Sequence, residues 1–365
     1  GIIMRDPFGE HHEVYLALYA YVADQPEACK VAGTFASHQA QYPCHRCLVR
    51  REDISNMEIS SEYRTEAGQA EKVEELLAIP TLTARNDAAK AMSIHPVKAA
   101  IWGLALDDVG NPYGALLIEI MHALDLGIFM HIISCIRAML KKRKETHVLR
   151  ELDLALQTIA CDTRISGFRL PGGEKDGYFA GAAKFQAFEH RAIMQVCTIV
   201  LAGRVDKKIV DAVAAFVDLY MLASRRWYHT DNTLQELDQA IKRLIPMLKD
   251  VFGEFQASEF NIGKVHGLVH LVDDIRRSGV PVHYNANMFE FLHQPLVKRA
   301  YRASNKRDAM PQIVKHSVMA RMLQALDDSD HNKEDSHHRM VALQKIDDAR
   351  PWKLGETHSW PRRTR

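Results

Sequence analysis

Leu234, Leu237, Ile241, Leu244, Ile245 and Leu248 recur three or four residues apart, which predicts a helix over 233–250 with one apolar stripe. Thr233 and Glu236 have capping-box spacing at its start. The same period predicts helices over 146–160, 184–202, 206–224, 264–277, 287–300 and 311–327. Residues 64–78 and 83–92 read as short polar helices. The stretch ALLIEIMHALDLGIFMHIISCIRAML, which follows Gly114, is apolar almost all round, as expected of a buried helix or helix pair relieved at Gly127. It closes on Lys141, Lys142, Arg143 and Lys144, cations that suit a helix C-terminus.

The N-terminal part lacks this period. HHEVYLALYAYVA, residues 11–23, is dense in Tyr, Val and Leu and fits a buried strand or a short helix; Pro26 ends the element by Gln25. Residues 33–58 read as loop with a Cys-rich knuckle, 167–181 as a Gly-rich connector, and the charged, His-rich tail after about 329 as frayed or disordered. There is no internal repeat. The pattern predicts a mainly α protein with a small α/β part, a Cys-rich loop and a long all-helical body.

Composition narrows the function classes. A chain of 365 residues is long enough for two domains, or for one with a large insertion. No apolar run reaches the roughly 18 residues expected of a membrane span, and no signal peptide is visible. The Gly1 start predicts a fragment of a longer chain. A net charge of +1 gives no global pull on nucleic acid, so such binding must come from local patches. Six cysteines in this length do not make a disulfide scaffold; Cys135, Cys161 and Cys197 read as core thiols, and a reducing compartment is the default.

Five places could carry chemistry. Cys44 and Cys47 have the C-x-x-C spacing that lets two thiolates grip one tetrahedral zinc, with Cys29, His38 and His95 as candidate further ligands. A redox pair is the other use of this spacing, but no thioredoxin-like βαβ pattern surrounds it. Asp24 leaves an apolar element just before Pro26, where it suits either a metal ligand or a helix cap. Glu119 and His122 share one helix face inside an apolar segment and need partners there, with Asp125 three residues on. His266, His270 and Asp274 form an i, i+4, i+8 stripe that suits helix packing or a metal; the Glu of a zincin HExxH is absent. Finally, Glu290 and His293 sit one turn apart, ahead of Lys298, Arg299, Arg302, Lys306 and Arg307, a basic cluster suited to phosphate contacts or to a solvated face.

The order YVADQPEACKVAG, CHRC, IHPVKAAIW, EIMHALDLGIF, FEHRAIMQV, FNIGKVHGLVHLVDDIRRSG and YNANMFEFLHQPLVKRAYRASNKRD resembles the C-terminal two-thirds of fungal Plavaka-type transposases, in the wider Kyakuja–Dileera–Zisupton and CACTA-like group. The resemblance runs over nearly residues 10 to 320. It implies a DDE-type transposase or nuclease with a partial ribonuclease-H-like core (1–32), a Cys-rich knuckle and connector (33–110), a helical insertion (111–280), C-terminal core helices with the last acid and the basic patch (281–328) and a basic tail (329–365). It also implies two Mg²⁺ (or Mn²⁺) held by carboxylates, transposon-end DNA as partner and a nuclear location, with no membrane and with room for a homo-oligomer; the structural Zn²⁺ is expected from the C-x-x-C spacing. Asp24 matches the Asp of aDxPE. Glu119 and His122 match DxxH with Glu for Asp, and Glu290 matches the Glu of ErLH. Asn285-Ala286-Asn287 stands where the family reads NTE, and no match for its first Asp is present, since only Asp6 precedes Asp24. Those two departures support the alternative of a decayed or domesticated helical body that binds DNA or protein without cutting.

Overall fold

A computed structural model of the chain describes residues 2–14, 18–36, 40–104, 111–163, 177–181, 185–224, 227–256 and 258–331. His38, most of the Gly-rich connector and the tail beyond 331 lie outside the described residues. Backbone contacts divide the chain into two units, Gly1–Asn287 and Met288–Arg365.

The first unit opens with an exposed antiparallel hairpin, β1 (Ile2–Arg5) and β2 (His11–Val14), in which Ile2 lies opposite Val14. Residues 18–24 then form no regular element, apart from a parallel bridge between Tyr21 and Leu116. Among the described residues no larger sheet forms. Helix α1 (Gln25–Val31) follows, with Pro26 in its first turn, where the missing N–H costs nothing. The polar helices α2 (Glu66–Ala78) and α3 (Leu82–Met92) start at Thr65 and Thr81, whose hydroxyls accept from the N–H groups of Gly68 and Ala84. Their inner faces meet through Val73, Leu76, Ala89 and Ile94.

The apolar stretch after Gly114 turns helical only at Met121. Pro112–Ala115 is a 3₁₀ turn, Met121–Ile128 is π-helical and α4 (Phe129–Lys142) continues it. A Cβ at Gly127 would lie 2.7 Å from the His122 carbonyl oxygen and 2.8 Å from Lys264 Cδ, so the wide turn and its neighbour require glycine there. Met121–Lys142, 22 residues, is long and apolar enough to cross a membrane, which corrects the expectation that no run reaches that length. His122, Asp125 and Arg137 interrupt it in sequence but not as a helix. Its apolar face, with Ile132, Ile133, Ile136 and Met139, is buried against protein, as befits a core helix.

The remaining helices of this unit are α5 (Thr146–Thr163), α6 (Ala187–Leu201), α7 (Lys207–Ala223), α8 (Asp231–Phe252) and α9 (Gly263–Ser278). They share one core with α4, through Leu152, Val200, Phe216, Leu237, Leu244, Leu268 and Leu271. Helix α8 starts one turn earlier than Thr233 and Glu236 predict: Thr230 and Thr233 bond reciprocally, side chain to backbone, and Asp231 adds a favourable charge in the first turn.

The second unit holds α10 (Asn287–His293, whose first residue belongs to the first unit), a π-helical turn at Gln294–Lys298, α11 (Arg299–Ala303) and α12 (Ala309–His331). Pro295, which lacks an N–H to donate, sits in the wide turn. The Ser317 hydroxyl donates to the Leu296 carbonyl at 2.7 Å and ties α12 to it.

Candidate metal centre and adjoining cavity

The knuckle is a small hairpin. Cys47 and Tyr63 form an antiparallel bridge, and the Arg64 N–H donates to Arg46 O at 2.8 Å. The buried Arg64 guanidinium donates to the carbonyls of Cys44 (2.9 Å) and Tyr42 (3.0 Å), which fixes the loop from inside. Residues 266 and 270 are one turn apart on α9, so both imidazoles face the loop. Cys47 Sγ lies 3.1 Å from His266 Nε2, and Cys44 Sγ lies 3.5 Å from His270 Nε2. All four donor atoms fall within 4.8 Å of one another, and all four residues are buried.

This set fits zinc. Usual Zn–S and Zn–N bonds at tetrahedral angles put sulfur and nitrogen roughly 3.6 Å apart, close to both distances. His270 Nδ1 lies 3.4 Å from the Tyr63 hydroxyl, which bonds Asp273, an outer partner that orients the ring. Burial opposes a thiolate at Cys44, but Cys47 and the two histidines outweigh it and hold Cys44 well below the ordinary thiol range. Cys47 is pushed up by its bond to Cys44 and by burial. Of the three expected partners, His38 lies outside the described residues and the other two lie elsewhere. Cys29 is buried beside Thr34, its thiol pushed up to about 11 mainly by burial, and His95 stacks on Phe35 at 4.2 Å. Neither joins the four converging donors. The second half of the zinc set is the His266/His270 stripe, whose sequence spacing fits helix packing equally well.

The two residues between the thiols reach other partners. Arg46 pairs with Asp274 at 2.5 Å, both side chains buried, and Asp274 also accepts the Ile118 N–H at 2.9 Å. Burial pushes the Asp274 carboxyl up, and Arg46 opposes it. His45, 5% exposed, borders a cavity of about 200 Å³ together with Asp24, Glu119, His122, Lys264 and Gly267. Burial first, with Arg46 and His270, pushes its imidazole down to about 4, opposed by Cys44 and by a backbone bond at Leu116.

Asp24 is the N-cap of α1: Oδ1 accepts the Glu27 N–H at 2.9 Å, which leaves Oδ2 outside the cap. Glu119 is fully engaged. Its Oε1 accepts from the N–H groups of Met121 (2.9 Å) and Ala286 (3.1 Å); its Oε2 accepts from the His122 N–H (2.8 Å) and bonds His122 Nδ1 (2.7 Å). Burial works to raise this carboxyl, but these bonds prevail and hold it below the ordinary range. Lys264 donates to Leu126 O at 3.3 Å; burial lowers its ammonium and nearby Asp24 works the other way. Asp125 does not join Glu119 and His122. It pairs with Arg191 at 2.7 Å, and burial pushes it up to about 6 against that ion pair. Arg191 also donates to the Asn287 side-chain oxygen at 3.3 Å.

In the second unit, Glu290 is exposed and lies 3.9 Å from Lys298. Arg299, Arg302, Lys306 and Arg307 are exposed and Lys298 is half-buried.

Residues 1–136 match the model of the Plavaka transposase family, a match consistent with a Plavaka-type transposase. It spans Asp24, the knuckle thiols and the Glu119–His122 pair, and ends before His266, His270 and Glu290. No curated protein matches the chain.

Proposed function

We propose that this chain is a transposase-derived protein whose cavity at Asp24, Glu119 and His122 receives a phosphodiester of transposon-end DNA. The family match over residues 1–136 supports the class. The observation that carries the site is that three residues named from sequence, spread over positions 24 to 122, border one cavity. In this reading the segments that bridge at Tyr21 and Leu116, each leading within three residues to a carboxylate, are part of a ribonuclease-H-like core.

Mg²⁺ or Mn²⁺, when bound, supplies polarisation of the phosphate and activation of the attacking hydroxyl. Asp24 fits such an ion, because its cap uses Oδ1 alone. Glu119 does not, because both of its oxygens are taken. Its part is to hold the His122 ring by Nδ1 at the cavity wall, as carboxylates orient catalytic imidazoles. In the second unit, Glu290 remains a candidate carboxylate for such an ion, and Lys298, Arg299, Arg302, Lys306 and Arg307 contact backbone phosphates. The Cys44–Cys47–His266–His270 group holds a structural zinc. The protein works on DNA in the nucleus.

A second reading, DNA binding without cleavage, is favoured by the saturated acceptors of Glu119 and by the neutral side chain of Asn287. One experiment separates the two. Nicking of transposon-end DNA with Mn²⁺ is measured for the chain, Asp24→Asn and Glu290→Gln at equal zinc content. Loss in both variants supports cleavage at these residues; undiminished nicking in both removes them from the role. Salt-sensitive binding with no nicking by any form establishes the second reading.

A further inference from the structure

We propose that α12 is the contact surface of a homodimer, in which it lies antiparallel against α12 of a second copy of the chain. Neither the chemistry of the cavity nor a bound metal enters.

Helix α12 carries apolar residues on more than one side, but only one side is covered within its unit. There the Ser317 hydroxyl donates to Leu296 O, the Gln312 amide donates to Asn305 and to Arg307 O, and Ile313 is half-buried. Met310, Val314 and Val318 form one row at i, i+4 spacing, and Met319 with Leu323 begins the next. All five side chains are 49–67% exposed. A helix that is apolar beyond one stripe is ordinarily buried on those sides too, and adjoining exposed apolar rows mark a surface that meets another protein.

Charge identifies the occupant. Lys306 and Arg307 precede the helix, and Lys315 and Arg321 lie along it, all four exposed, with no acid between Ala309 and Leu326. The three acids of the helix, Asp327, Asp328 and Asp330, fall in its last five residues. Carboxylates there meet the negative end of the helix dipole and call for cations from elsewhere. A second α12 laid parallel sets like charge against like. Laid antiparallel, it brings the basic part of each copy beside the acidic end of the other, at both ends at once, as a two-fold axis requires. The helix is about 34 Å long, so the apolar rows and both charged ends engage together. A nucleic acid suits the cations alone: the acids repel it and the apolar rows give it nothing.

The test is the mass of the full chain in solution, by sedimentation equilibrium over a range of concentration and salt. The surface predicts a reversible dimer that salt weakens. Val318→Glu/Met319→Glu should weaken it about tenfold or more, at unchanged circular dichroism and melting temperature, since both side chains are exposed. Two charge variants give a second measurement. Lys315→Glu/Arg321→Glu leaves the helix with acids and no Lys or Arg, and Asp327→Lys/Asp328→Lys/Asp330→Lys leaves it with no acid. Each alone should self-associate more weakly than wild type, and the two mixed should form a one-to-one heterodimer in native mass spectrometry. A chain that stays monomeric throughout, a dimer that salt strengthens or that ignores Val318→Glu/Met319→Glu, or a mixture without heterodimer overturns the proposal. So does a monomer whose α12 gains protection from hydrogen exchange only when DNA is added, which makes this a nucleic-acid face instead.

Discussion

Cys47 Sγ sits 3.1 Å from His266 Nε2, although 219 positions separate the two residues. With Cys44 and His270 beside them, a metal would fasten the N-terminal knuckle to a helix of the C-terminal half. The chain is therefore expected to carry one zinc, measured by elemental analysis. Cys47→Ser and His266→Ala should lose it, whereas Cys29→Ser and His95→Ala should keep it. Chelation should cost about 4 kcal/mol or more of unfolding free energy if the dissociation constant for zinc lies a thousandfold below the free zinc concentration. Zinc retained in Cys47→Ser would rule this centre out.

Arg46 and Asp274 are both buried and bond each other, and Asp274 also accepts the Ile118 N–H. Removing one partner strands the other, so Arg46→Met is expected to destabilise the fold by about 3–5 kcal/mol and Asp274→Asn by a similar amount. The double substitution removes both charges and should cost clearly less than the sum, which denaturant unfolding of the four proteins measures as a coupling energy. Simple additivity would mean that the pair is not coupled.

The helical body is legible in the sequence because apolar residues repeat along it every three or four positions; α2, α3, α6, α7 and α9 fall within a few residues of their predicted spans. Local chemistry is less legible. The start of α8 depends on a hydroxyl pair, Thr230 with Thr233, while an equally good spacing stands three residues later. The π-helical Met121–Ile128 segment holds Gly127 against Lys264, a tertiary contact that no period records. At the site, Asp24, Glu119 and His122 stand out as polar residues in apolar surroundings. The pairing of CxxC with HxxxH does not, because two histidines four apart on an amphipathic helix suit packing as well as a metal. Nor does sequence reveal that Glu119 is saturated, since one of its four donors is the N–H of Ala286.

Glu119 is expected to matter for folding as much as for chemistry. Its depressed carboxyl contributes stability that is present above its ordinary range and is lost as pH falls through its folded value. Glu119→Gln replaces one acceptor oxygen with an NH₂ group facing two donors. Unfolding free energy at pH 7 should drop by about 1–3 kcal/mol, and the His122 ring signals in NMR should broaden or shift. A variant as stable as wild type with unchanged His122 signals would refute the positioning role.

His190 gives the clearest pH dependence. It is buried and its Nδ1 lies 2.8 Å from the Tyr178 hydroxyl; burial first and Arg137 second push it down to about 4, against a backbone bond at Phe185. An unfolded histidine titrates near 6.5. Between those values the unfolded chain binds more protons than the folded one, so stability falls as pH drops through this window and is unaffected well above it. Going from pH 7 to pH 5 should cost roughly 1–2 kcal/mol through this residue. His190→Gln, compared with wild type by urea unfolding at both values, should show a fall smaller by that amount. His45, also pushed down to about 4, acts in the same sense, and Asp125, pushed up to about 6, acts in the opposite sense. Both are present in either protein, as is acid release of zinc, so the comparison isolates His190. Equal falls in the two proteins would mean that His190 is protonated in the folded state already at pH 5.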